Sequence, residues 1–167
     1  MKIKTLLLAS LLVSLTSISV AQTRARITPD TIVRNLYAAR KRPATDPFFQ
    51  TKSRARLNRY FTKDLGDLIW NDALASAKSK EVGALDGDPL YNAQDMKITA
   101  FRIKPPQFGE GNLNLADVPV TFKNFGKEQT ILFRLGRDNT GVWKVSDIFY
   151  PDNPDDASSL RKMLKSG

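Results

Sequence analysis

Apolar residues recur along the chain with two different periods. Ile32, Val33, Leu36 and Tyr37 stand three and four apart, which predicts an amphipathic helix. Thr28 offers a cap, Pro29 suits the first helical turn and Asp30 favours the helix dipole. Arg40-Lys41-Arg42 falls in the last turn, and Pro43 stops the helix. Phe48 and Phe49 in the following loop are expected to plug the core. Leu57, Tyr60, Phe61, Leu65, Leu68 and Ile69 then repeat at helical spacing, with Thr62 placed to start a new helix after a bend.

Beyond Gly83 the period becomes two. Met96 to Lys104 reads as a strand ended by Pro105-Pro106, and Phe108 to Asn114 as a loop. Ala116, Val118, Val120 and Phe122 alternate with polar positions. Ile131, Phe133 and Leu135 alternate with Thr130, Leu132 and Arg134, and Trp143, Val145 and Phe149 with Lys144, Ser146 and Ile148. Asn124 to Lys127 and Asp138 to Gly141 supply the turns. Pro119 lies inside one of these runs, where it is tolerated only at an edge or a bulge. A short helix over Ser158 to Lys165 closes the chain. Helices followed by a meander of about four strands predict an α+β fold, with the helices packed on one face of a curved antiparallel sheet.

The first 21 residues stand outside this pattern. Lys2 and Lys4 precede an apolar, serine-interrupted run to Val20, and Ser19-Val20-Ala21 presents small residues for cleavage. This predicts a signal peptide and a single domain over 22–167. The run is short and serine-rich beside the ~20 apolar residues of a membrane span. The expected compartment is the periplasm, with no transmembrane segment in the mature chain.

Charge adds one feature. The chain carries +9 overall. Between Gln22 and Arg59 ten basic residues face only Asp30 and Asp46, whereas from Tyr60 onward the signs nearly balance. Arg40, Lys41, Arg42, Arg54 and Arg56 form a candidate basic patch, for which a solvated helix face is the plainer reading. An anionic envelope polymer or lipid suits the compartment; nucleic acid is not expected there.

The chain has no Cys and no His. That excludes disulfides, Ser-His-Asp and Cys-His catalysis and the common zinc sites. No phosphate-binding glycine loop is present, and neither a metal nor a cofactor is expected. Carboxylates and tyrosines remain. Asp86 to Asp95 (Asp-Gly-Asp-Pro-Leu-Tyr-Asn-Ala-Gln-Asp) joins the two halves. It lacks the spacing of an EF-hand, and its acids suit turn geometry. Strict alternation puts Asp147 on the apolar face with Trp143, Val145 and Phe149, where a carboxylate must find a partner. A bulge would instead turn it outward and set Ile148 and Tyr150 inside. Asp88, Gln94, Asp95, Asp147, Tyr37, Tyr60 and Trp143 are the candidate pocket residues, with Tyr91 a further partner for Asp147.

The basic helix end, Tyr60-Phe61-Thr62…Leu65, Leu85…Asp88-Pro89-Leu90…Ala93-Gln94-Asp95 and Trp143-Lys144-Val145…Asp147-Ile148 resemble the DUF3828 family of exported bacterial proteins, of unknown function. The last of these motifs is also similar to the NTF2-like, or cystatin-like, superfamily. The resemblance implies a cone, with a curved sheet wrapped against N-terminal helices around a pocket, and leaves room for a homodimer. It implies no activity. Three functions stay open: a non-catalytic binder of a protein or small ligand, for instance an inhibitor or immunity protein; an isomerase, dehydratase or hydrolase built on pocket carboxylates and a tyrosine; and an envelope protein held by its basic region.

Overall fold

The computed structural model describes residues 27–41, 53–79, 83–85, 87–152 and 158–166. The expected signal peptide, Arg42 and the Phe48-Phe49 plug lie outside them. The described chain is α+β, as the two periods predict. Helices α1 (Pro29–Arg40), α2 (Arg54–Tyr60) and α3 (Lys63–Ser79) come first. Strands β1 (Ile98–Ile103), β2 (Gln107–Gly109), β3 (Asn112–Asn124), β4 (Lys127–Arg137) and β5 (Trp143–Phe149) follow, and α4 (Leu160–Ser166) ends the chain.

Helix α1 buries the predicted stripe, Ile32, Val33, Leu36 and Tyr37. Thr28 stands at its N-cap, but its hydroxyl meets the Thr31 hydroxyl at 2.8 Å in place of a backbone N–H. The bend expected near Thr62 is a break between α2 and α3. Phe61 leaves the helix in extended backbone, drops into the core and forms a parallel bridge with Val145. The Thr62 N–H donates to the Val145 carbonyl at 2.9 Å, so β5 fixes where the helices part.

The sheet has five antiparallel strands in the order β1-β3-β4-β5, with β2 also on β3. Phe125 and Gly126 both take positive φ (48° and 83°) in the two-residue β3–β4 turn, the geometry that matches strand twist. Phe108 to Asn114 is not the expected loop. Gln107 to Gly109 pair with β3, and β3 already begins at Asn112. The reversal falls on Glu110-Gly111, with Gly111 at φ 70°. Three residues with a glycine among them are too few to show alternation, which hid β2 from the pattern.

Strand β3 therefore has both β1 and β2 along one side. The β1 pairing ends at Ile103 opposite Val120, and the β2 pairing starts at Gln107 opposite Asp117. Pro119 falls between them, opposite the break. Its carbonyl accepts the Lys104 N–H at 2.9 Å, and its missing donor is spared where β1 has ended. This meets the edge requirement inside the longest strand.

Bulges in β5 and β1 re-aim side chains of the sheet. Arg134 pairs with Asp147 and Leu135 with Val145, so Ser146 is an extra residue in β5. In β1, Thr99 pairs with Lys123 and Arg102 with Thr121, so one residue of Ala100-Phe101 is extra. Ala100 takes φ 51° there, the left-handed region that costs an alanine strain. The core between helices and sheet holds Phe61, Phe122, Phe133, Leu36, Ile131 and Ile148, all almost fully buried.

Candidate functional site

The connector between helices and sheet is fastened by two side chains of α1, Tyr37 and Arg40, and by Tyr150 just beyond β5. The Tyr37 hydroxyl donates to the Leu90 carbonyl at 2.6 Å, and the Tyr150 hydroxyl to the Pro89 carbonyl at 3.0 Å. Asp88 is buried, pairs with Arg40, and accepts the Leu90 N–H at 2.9 Å. Its own N–H donates to the Ala93 carbonyl at 2.9 Å. These bonds fix a compact turn, and they engage the Asp88 carboxylate from two sides.

The candidate pocket residues do not converge. Asp88 and Gln94 border one hollow of about 210 Å³ with Leu85, Asn92 and Met163, which contains neither a second carboxylate nor a tyrosine. Asp95 is exposed, and its carbonyl accepts from the Asn124 amide at 3.1 Å. Tyr60 borders a separate cleft with Arg59 and Lys144. Trp143 is buried beside Phe108 and under the Arg137 guanidinium, at 6.1 and 4.6 Å.

Asp147 takes the bulge alternative. The extra Ser146 puts Val145, Ile148 and Tyr150 in the core. Phe149, expected inside, is half-buried beneath the Arg134 guanidinium at 4.7 Å. The Asp147 carboxylate accepts the N–H of Ile148 at 2.9 Å and of Arg161 at 3.0 Å, anchoring the start of α4. The bonds that hold its carboxylate go to backbone N–H groups at the β5–α4 corner, in place of a tyrosine of the candidate set.

The basic patch is also divided. Arg40 is committed to Asp88, and Arg54 pairs with Asp67 at 3.1 Å while lying 5.6 Å over the Trp70 ring. Lys41 is exposed at the end of α1. Arg56 stands two residues beyond Arg54 on α2.

A different place gathers aromatic and cationic groups. Between α1 and β1 lies a cleft of about 390 Å³, walled by Tyr37, Tyr91, Phe101, Ile98 and Ile103, with Arg34 and Lys41 at its border. Tyr37 packs edge-on against Tyr91, Phe101 and Phe133 at centroid distances of 5.4, 4.8 and 5.7 Å. Phe122 continues the cluster, 5.4 Å from Tyr91 and 6.5 Å from Phe101. Edge-on packing at these distances is favourable for aromatic rings. Phe101 nevertheless keeps 38% of its surface exposed. Arg34, itself exposed, makes a loose pair with Asp30 at 3.5 Å, a geometry that contributes little.

The bulge makes this wall. Ile98 and Ile103 stand five positions apart, so strict alternation would put them on opposite faces. The extra residue brings both to the cleft and aims Phe101 at Tyr37. The phenols are held in their neutral form. Burial raises Tyr37 well above its usual range, helped by Tyr91, Asp88 and Tyr150. Burial likewise raises Tyr91, with Asp88 adding to the shift and Arg40 opposing it. These rings offer apolar faces and neutral hydroxyls. Phe101 and Arg34 were not legible as site residues, although the odd spacing of Ile98 and Ile103 signals the bulge that positions Phe101.

Among the described residues no group of three or more carboxylates could hold a metal ion, and no helix is long and apolar enough to cross a membrane. No family model and no curated protein matches the chain. Among solved structures, a phospholipid-binding protein from Ralstonia solanacearum, in complex with a phospholipid, overlaps with a TM-score of 0.35. Identity is 18%, over 83% of this chain and 73% of that one. An overlap that low equates neither fold nor ligand.

Proposed function

We propose that this is an exported, periplasmic domain of the DUF3828 and NTF2-like type that binds a small ligand without transforming it. The ligand is an apolar or aromatic molecule carrying one anionic group, and it lies in the α1–β1 cleft. The observation that carries this reading is the aromatic wall of Tyr37, Tyr91 and the part-exposed Phe101, bordered by Arg34 and Lys41. Ligand sites are concave and mostly apolar, with a few polar groups that fix orientation. Aromatic faces supply contact area at low entropy cost, and the two cations favour an acid head at the mouth. The engagement of the Asp147 and Asp88 carboxylates in structural bonds supports binding over proton transfer.

Two naphthalene probes test the proposal, 1-anilinonaphthalene-8-sulfonate and its uncharged analogue N-phenyl-1-naphthylamine. Both should fluoresce on binding the native protein, and Phe101→Ala should weaken both about tenfold, as expected for losing a buried aromatic contact. Arg34→Gln with Lys41→Gln should weaken the sulfonate selectively. Equal loss of both probes in that variant, or binding indifferent to Phe101→Ala, overturns the reading.

A further inference from the structure

The β1 bulge has a second side. Phe101 turns into the aromatic cleft, whereas Ala100 lines a separate hollow of about 260 Å³ on the opposite face of the sheet. Ala100 offers only a methyl group there, so the bulge leaves space. Arg102, Lys104 and Lys123 surround that space, with the hydroxyl-bearing Thr121 and Thr130 between them. The register explains the grouping. Arg102 stands opposite Thr121, and Thr121 opposite Thr130, giving one row across β1, β3 and β4. Lys123 stands two rows away, the next residue of β3 on the same face, opposite Thr99.

Three cations thus meet one lining acid, Glu128, whose contact with Lys123 is a loose 3.7 Å and mostly exposed. The nearby Asp152 carboxylate is engaged by the Thr130 N–H. These cations come from the part of the chain in which basic and acidic residues nearly balance, so the excess appears only once the strands are paired.

We propose that this corner of the outer sheet face binds a phosphate-class oxyanion, free or as the head group of a larger molecule. A planar guanidinium, two ammonium groups and two hydroxyls are all donors that suit tetrahedral oxygens, and the small residue at the bulge leaves room for them to converge. The site is separate from the aromatic cleft and does not depend on the ligand assigned there.

The test is an amide-resolved NMR titration of the full chain with inorganic phosphate at constant ionic strength. Saturable shifts are expected at Arg102, Thr121, Lys123 and Thr130, with one Kd. Arg102→Glu with Lys123→Glu should raise that Kd at least about tenfold, the equivalent of one charge-assisted hydrogen bond. Thr121→Val with Thr130→Val should also raise it several-fold with no change of charge. Valine suits these strand positions, so that variant should keep the fold. Vesicles of phosphatidylglycerol and of phosphatidylcholine separate the sources: co-sedimentation with the first alone, lost in the Arg102→Glu/Lys123→Glu variant, makes the oxyanion a lipid head group. Phosphate shifts without vesicle binding make it a soluble phosphate. Shifts spread over unrelated lysines, or a Kd unmoved by the threonine changes, would mean diffuse attraction to surface charge and overturn the proposal.

Discussion

The Arg40 guanidinium donates to the buried Asp88 carboxylate, 48 residues further along the chain, and this pair clamps the last turn of α1 to the connector between helices and sheet. Removing one partner of a buried pair leaves the other uncompensated, at a cost of about 3–5 kcal/mol for full burial. Arg40 is part-exposed, which lowers the figure. Asp88→Ala should cost about 2–4 kcal/mol, because the Leu90 N–H also loses its acceptor. Asp88→Asn keeps an oxygen for Leu90 and should cost less. Urea unfolding of the two variants checks the order; equal losses would mean that the Leu90 bond contributes nothing.

Consecutive carbonyls of that connector are held by two buried tyrosines, whose bonds act on one turn. Tyr37→Phe and Tyr150→Phe each leave a buried carbonyl without its phenol donor, at about 1–2 kcal/mol apiece. Once one bond is lost the turn can relax, so the double variant should cost less than the two singles together by about 0.5 kcal/mol or more. Strict additivity in denaturant unfolding would show that the two bonds act independently.

The same phenols set an alkaline limit. Burial raises both above the usual 10.0; for Tyr37 the neighbouring Tyr91, Asp88 and Tyr150 add to it, and for Tyr150, Asp147 and Asp88 do. An unfolded chain releases these protons near pH 10 while the folded one retains them. The folded state then binds more protons, so stability is whole below about pH 10 and falls as pH rises beyond it. Each phenol should contribute about 1.4 kcal/mol per pH unit to that fall. Unfolding free energies of wild type and Tyr37→Phe/Tyr150→Phe, compared between about pH 9 and 11, should converge as pH rises. Parallel curves would mean that the phenols ionise freely in the folded protein.

The β1 bulge stores strain at Ala100. Its φ of 51° is one that glycine adopts without penalty. Ala100→Gly should therefore stabilise by about 0.5–1 kcal/mol, while β-branched Ala100→Val should cost about 2 kcal/mol. Thermal unfolding measures both. A destabilising glycine would indicate that Ala100 holds the bulge through its packing.

What the sequence made legible was set by period. The α1 stripe and the alternation of β3 and β4 follow directly from spacing, and so does the α+β order. The positions that shape the candidate site depend on departures from period. In β1 and β5 the apolar pairs Ile98/Ile103 and Val145/Ile148 stand at odd separations, which only an inserted residue reconciles with one buried face. One such insertion turns Asp147 outward, and the other aims Phe101 inward. Charge counting failed for a different reason. Arg102 and Lys104 stand close together at the end of β1, but Lys123 borders the same hollow only through the β1–β3 pairing, and register is not visible in a running sum.

Asp147 was the sharpest catalytic candidate, and its geometry predicts a structural role that can be separated from any chemical one. It sits behind the β5 bulge, accepting the N–H of Ile148 and of Arg161. Arg161 extends the latch: its guanidinium donates to the Ser146 carbonyl at 2.8 Å and pairs with Asp64 at 3.0 Å, so α4 is tied to β5 and α3 together. Asp147→Ala strips an acceptor from the first turn of α4, at about 1–2 kcal/mol. Asp147→Asn retains an oxygen and should recover most of that. Amide exchange should quicken in the alanine variant at Met163 and Leu164, within the helix that the latch holds, and binding of the naphthalene probes in the α1–β1 cleft, which Asp147 does not line, should not change. If α4 kept its protection while probe binding disappeared, Asp147 would belong to the ligand site after all.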